Sequence, residues 1–150
     1  MKKQLIYLDT SIISAFNDDR ELEKSQQTRA FLTAIKKEHV YVSSLVIEEV
    51  SHIKNSVRKT QLMDLIKKYL KFEVSNEARD MAEFYIENKL IPETHPEDAL
   101  HLAIATVKNI DVLVSWNYTH LVKLKTRHLV NALNLLKGYK EIDIISPIEY

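Results

Sequence analysis

No cysteine occurs among the 150 residues. Its absence excludes disulfide frameworks, thiolate zinc sites, iron–sulfur clusters and cysteine nucleophiles. Glycine is almost as scarce, Gly138 being the only one. Motifs that cradle phosphate on a glycine-rich loop, the P-loop and the dinucleotide fingerprint, are therefore missing. An ordinary NTPase or nicotinamide enzyme is ruled out with them. Neither sign of charge is in excess: Lys+Arg and Asp+Glu both number 21. That balance argues against a domain coated in positive charge, as many duplex-DNA binders are, and leaves room for a local basic patch. Long apolar runs are lacking as well. Lys2 and Lys3 precede Leu5-Ile6-Tyr7-Leu8, but Asp9 ends the run. A signal peptide needs about 7–15 apolar residues there and a membrane helix about 20. The expected location is the cytoplasm.

What is present suits a globular chain: 45% hydrophobic and 28% charged residues, enough to bury a core without metal or disulfide staples. With no repeat, low-complexity stretch or linker, residues 1–150 read as one domain. Short apolar runs alternate with helical patterns. Strands are predicted at Leu5–Leu8, Val40–Val42, Phe72–Val74, Val112–Val114 and Asp143–Ile145. Helices are predicted at Asp18–Lys37 (capped by Asp18 or Asp19, with Ala30, Phe31, Ala34 and Ile35 inside), from Ser43 or Ser44 to about Lys54, and at Val57–Leu70 with Leu62, Leu65, Ile66 and Tyr69 on one face. Further helices follow at Asn76–Leu90, Glu97–Lys108 and Tyr118–Leu136, with a turn between Pro92 and Pro96. This alternation implies an α/β fold, a mostly parallel central sheet flanked by helices.

Ligands of such sheets collect beyond the carboxyl ends of the strands. Four positions there carry oxygen ligands. Asp9 ends the first strand, either as a helix cap or as a metal ligand steadied by Thr10 or Ser11. Glu48 and Glu49 separate by helix phase. At about 100° per residue, Val46, Val50 and Ile53 define a buried stripe, Glu49 lies about 60° from Val46, and Glu48 faces solvent. A carboxylate beside the core is costly without a partner, so Glu49 is the unusual one. Asp98 and His101 are the polar exceptions in an otherwise apolar helix and share a face. Acids also favour a first helical turn. His101 reads as a core or supporting residue, because hard cations prefer oxygen. Asn117 follows the strand ending at Ser115, as a turn residue or as an amide offered to a ligand. Three carboxylates gathered at one rim hold either protons or a cation, and an all-oxygen set points to Mg²⁺ or Mn²⁺.

These segments, Leu8-Asp9-Thr10-Ser11, Ser44 to Val50, Glu97 to Ala105, and Val112 to Asn117, resemble a PIN domain in order and spacing over roughly residues 5–122. Many relatives of that kind are VapC-like toxins of toxin–antitoxin modules. The resemblance implies a PIN-like fold and a Mg²⁺- or Mn²⁺-dependent endoribonuclease with Asp9, Glu49 and Asp98 as metal ligands. It further implies frequent dimerisation, hence a homodimer, and a cognate antitoxin partner. Many members carry a fourth acid where this chain has Asn117, with His120 three residues on. Asp111 is no substitute. It precedes the strand, and four residues at about 3.3 Å each set it about 13 Å from the active end.

On this reading Asp9, Glu49, Asp98 and Asn117 are catalytic, with Thr10, Ser11 and His101 supporting them. Between Asn117 and Lys140 stand Lys123, Lys125, Arg127, Lys137 and Lys140 with no acid. Lys123, Lys125 and Arg127 are the candidates to hold the RNA substrate. Trp116 and Tyr118 could stack bases, although Trp116 suits a core equally. The alternative is a catalytically silent PIN-like module that binds RNA or a protein. An Asp9-based phosphotransferase has little support, because Ser11 stands where a second Asp would serve as general acid.

Overall fold

A computed structural model describes residues 3–150; Lys2 of the basic lead-in lies outside the described residues. Strand β1 (Ile6–Leu8) leads directly into helix α1 (Thr10–Ala15), followed by α2 (Leu22–Ala34). Strand β2 (Val40–Ser43) runs into α3 (Ser44–Ser51), then α4 (Ser56–Ile66) and β3 (Leu70–Phe72). Helices α5 (Asn76–Glu87) and α6 (Pro96–Val107) precede β4 (Val112–Val114), α7 (Leu124–Leu136) and β5 (Asp143–Ile145). The strands pair in the order β3-β2-β1-β4-β5, every pair parallel. Each strand therefore delivers its carboxyl end to the same rim, as the alternating pattern predicts.

β1 is buried along its whole length, because helices cover both faces of the sheet. Its side chains alternate. Ile6 and Leu8 join one core with Val40, Val42, Val46 and Val114, and Tyr7 enters the other with Leu113, Ile144 and much of α6. The apolar surround of α6 is explained by the same packing: Ala99 and every residue from His101 to Thr106 are buried.

Several boundaries depart from the sequence pattern. α2 starts at Leu22 rather than Asp18, because Asp18 spends its carboxylate on Arg20 instead of capping. Ala30 and Ala34 are exposed; the buried stripe is Ser25, Thr28 and Phe31. Two of those three are polar but bonded locally: the Ser25 hydroxyl donates to the Phe16 carbonyl and that of Thr28 to the Lys24 carbonyl. β3 lies two residues earlier than expected. As the sheet's edge it is little buried, so its apolar signal is weak, and its anchor is Phe72 stacked on Tyr41 at 4.2 Å. α7 begins at Leu124, not Tyr118. The Asn117 carbonyl accepts from the Leu121 and Val122 amides and its side chain from the His120 amide, closing a turn first.

Far from the rim, α5, α6 and α7 share a buried polar knot. The Tyr85 hydroxyl donates to Asn134 at 2.5 Å and lies 2.7 Å from the Thr106 hydroxyl. Tyr85→Phe leaves the Asn134 oxygen buried without that donor, a loss of about 1–3 kcal/mol. Urea unfolding should show it as a lower midpoint at unchanged slope.

Candidate active site

Asp9 sits where β1 ends, with only 4% of its surface exposed. One carboxylate oxygen accepts from the Ser11 hydroxyl at 2.5 Å and from the Ile12 amide, which makes Asp9 the cap of α1. The other accepts from the Ser115 hydroxyl at 2.5 Å. The cap role and the site role of Asp9 are thus compatible. Burial pushes its carboxyl above the ordinary range, against the pull of the His101 charge and of the Ser11 and Ser115 hydroxyls.

Ser43 ends β2 and caps α3 through its hydroxyl. The helix phase holds: Val46 and Val50 are buried, Glu48 is exposed and Glu49 is half-buried. Glu49 Oε1 accepts from the Thr10 hydroxyl at 2.6 Å and lies 2.7 Å from His101 Nε2. Burial raises the Glu49 carboxyl, but its bonds to His101 and Thr10 outweigh that and hold it below the usual range. On the nuclease reading that the family resemblance implies, Glu49→Gln should lower cleavage by about 10²–10³-fold, the usual scale for losing one preorganised charge, while Glu48→Gln leaves it unchanged. Parallel cleavage rates of the two variants check the assignment, and the reverse ranking would refute the helix phase.

Asp98 stands in the first turn of α6, half-buried. Burial raises its carboxyl, opposed by a hydrogen bond from Asn117 and by the charges of His120 and His101, with Glu97 adding to the rise. Asn117 is therefore a support for Asp98 as well as the pin of its own turn.

Of the three acids, His101 bonds to Glu49 alone. Its positive form favours ionisation of Asp9, Glu49 and Asp98 alike. Because Glu49 is held ionised and can only accept, Nε2 is the donor. On the other side Nδ1 lies 2.7 Å from the Tyr7 hydroxyl, itself 2.8 Å from the Ser43 hydroxyl. All three of these residues are buried. In the neutral imidazole, Ser43 donates to Tyr7 and Tyr7 to Nδ1, fixing the tautomer that points Nε2–H at Glu49. The sequence pattern gave no role in the site to Tyr7, Ser43 or Ser115, Ser43 being read only as a helix cap. The available signals were a phenol inside a buried apolar run, whose hydroxyl must find a partner, and hydroxyl residues at two strand ends.

Among the described residues, no three His, Asp or Glu side chains stand close enough as placed to hold a metal ion. Each carboxylate is instead turned onto its own donors. The donor chemistry of Asp9, Glu49 and Asp98, oxygen throughout and two of the three raised by burial, fits a hard divalent cation.

The expected basic rim is smaller than the sequence count. Arg127 forms a two-pronged pair with Glu149, and Lys140 pairs with Asp111 at 2.6 Å. Asp111 also accepts from the Leu5 amide, which keeps it at the amino end of the sheet, away from the site as expected. Lys137 covers the Phe84 ring. Lys123 and Lys125 remain exposed. Trp116 is a core residue, its Nε1 donating to the Thr28 hydroxyl at 2.8 Å, and does not present a face for bases. Tyr118 is 49% exposed.

A sequence model of the PIN domain matches residues 6–125, and the chain belongs to the PIN domain family. No curated protein sequence matches it. Among solved structures it is similar to FitAcB from Neisseria gonorrhoeae, at 15% identity and TM-score 0.65, covering 97% of this chain and 100% of that one. A chain of a toxin–antitoxin complex from Klebsiella pneumoniae gives 14% identity and TM-score 0.60 over 79% and 92% of the two chains. VapC20 of Mycobacterium tuberculosis, a Sarcin-Ricin loop cleaving toxin, gives 14% and 0.59 over 92% and 98%. At these identities the likeness establishes the fold, a five-stranded parallel sheet among helices. Among the described residues, no helix is long and apolar enough to cross a membrane.

Proposed function

We propose that this PIN domain is a divalent-metal-dependent endoribonuclease, the toxin of a type II toxin–antitoxin module, acting in the cytoplasm. What supports this reading is the placement of Asp9 at the carboxyl end of β1, with Glu49 bonded to the adjoining Thr10 and to His101, whose charge acts on Asp9 and Asp98 as well. Asp9, Glu49 and Asp98 would hold Mg²⁺ or Mn²⁺. A divalent ion bound there supplies positive charge against the phosphate and acidifies a water for attack on phosphorus. The chain's own residues prepare the site: Ser11 and Ser115 fix Asp9, Thr10 and His101 fix Glu49, and Asn117 fixes Asp98. The solved neighbours that are toxins or toxin–antitoxin complexes favour an antitoxin as partner, and the chain is proposed to form a homodimer.

The test is cleavage of single-stranded RNA by antitoxin-free protein. Cleavage should require Mg²⁺ or Mn²⁺ and stop with EDTA. A second reading, a PIN module that binds without cutting, is favoured by one observation: Asn117 replaces an acid and has its side chain committed to Asp98 and His120. Protein that binds RNA yet cuts none with either metal would establish that second reading.

A further inference from the structure

The turn closed by Asn117 carries another imidazole to the same rim. His120 is held from both sides: its amide donates to Asn117 Oδ1 at 2.9 Å, and its carbonyl accepts from the Thr126 hydroxyl at 3.0 Å. Its half-buried ring packs against that of His95, just before α6, with centroids 4.3 Å apart and planes at 45°. We propose that His95 and His120 form a phosphate clamp for single-stranded RNA beside Asp98, a proposal that rests on the nuclease reading above.

Three observations lead there. Three of the four ring nitrogens are free for a ligand. Among the described residues the His120 ring makes no hydrogen bond, and His95 uses only Nδ1, toward Thr94 at 3.0 Å. None of these nitrogens is sealed from solvent without a partner, as His39 Nε2 is. His101, by contrast, spends both nitrogens inside the protein. Second, the pair stands beside Asp98: the Asp98 amide donates to the His95 carbonyl at 3.2 Å, and the His120 ring packs on that of His95. Third, the chemistry of position 117 is permissive. An acid there would repel an approaching phosphate and compete with it for the imidazole, whereas an amide does neither. The amide thus trades a cation ligand for a substrate contact. Donation needs no added proton: a neutral imidazole presents one N–H, and with the Thr94 hydroxyl donating to His95 Nδ1 that ring carries its N–H on Nε2, so the two rings offer two donors to one phosphate. Lys123, three residues after His120, is exposed and without an ion-pair partner among the described residues.

The experiment is anisotropy of a fluorescein-labelled single-stranded RNA oligonucleotide with the full chain at low salt in EDTA, where the probe stays intact. His95→Ala and His120→Ala should each weaken binding about tenfold. His120→Gln, which keeps an N–H donor, should retain most of it. On wild-type protein the imidazole ¹⁵N signals of His95 and His120 should move as the same RNA is added. This second readout decides the matter if an alanine variant fails to fold, and unmoved signals would overturn the clamp. RNA that binds both alanine variants as tightly as wild type would also overturn it and leave the nuclease reading standing. Wild-type protein that neither binds the RNA nor cleaves it with Mg²⁺ or Mn²⁺ would end the nuclease reading and the clamp together.

Discussion

Asp9→Asn is expected to lower metal-dependent RNA cleavage by at least about 10²–10³-fold, the scale for removing one preorganised electrostatic group, with the fold retained. The loss follows from charge: Asp9 is the most buried of the three acids, and an amide contributes no negative charge to a divalent cation. Retention of the fold follows from the partners. The new side-chain oxygen still caps α1 by accepting from the Ile12 amide, and still accepts from Ser11. The new amide group faces Ser115, whose hydroxyl turns from donor to acceptor without moving. Circular dichroism and melting separate the two effects. Full activity in a folded Asp9→Asn variant would remove Asp9 from the chemistry.

Asp98→Asn is expected to abolish cleavage on the same scale, about 10²–10³-fold, and to raise the melting temperature in EDTA. The sign of the second effect comes from the direction of the shift. Burial raises the Asp98 carboxyl above its ordinary 3.8, so the folded protein keeps that proton to higher pH than the unfolded chain does. The folded state then binds more protons in this window, and stability falls as pH rises. Below about pH 3.8 both states are protonated and the cost is absent; it grows as pH climbs through the raised value. The Asn variant escapes that cost, so its melting advantage should be clear at pH 7 and vanish toward pH 4. Glu49 has the opposite sign. Its lowered carboxyl stabilises the fold above the ordinary 4.5, a contribution lost on acidification. An Asp98→Asn variant less stable than wild type at neutral pH in EDTA would contradict this electrostatic account.

How much of this was legible from residue order varies with the physical signal. Burial on both faces of the sheet writes itself into β1 and β4 as uninterrupted apolar runs, and burial of α6 into a helix apolar almost all round, so those elements and the acids beside them are readable. Helix phase separates Glu48 from Glu49 because Val46 and Val50 mark the inner face. The edge strand β3 lacks an apolar period and was displaced by two residues. α2 hides its inner face behind Ser25 and Thr28, whose polarity is cancelled by bonds to the Phe16 and Lys24 carbonyls. Short α1 follows Asp9 too closely to show a period of its own. The supports of the site were the least readable part, because Ser115 meets Asp9, and Tyr7 meets Ser43 and His101, only when separate elements align. The basic count misled for a related reason: Arg127 and Lys140 find acids distant in sequence, at Glu149 and Asp111.

Crystals grown with Mn²⁺ and measured for anomalous scattering address the metal site directly. The account predicts Mn²⁺ contacted by oxygens of Asp9, Glu49 and Asp98, with Glu49 drawn off its present hold on Thr10 and His101. Saturating Mn²⁺ found elsewhere on the protein, or nowhere, with all three carboxylates still on their present hydrogen-bond partners, would contradict it.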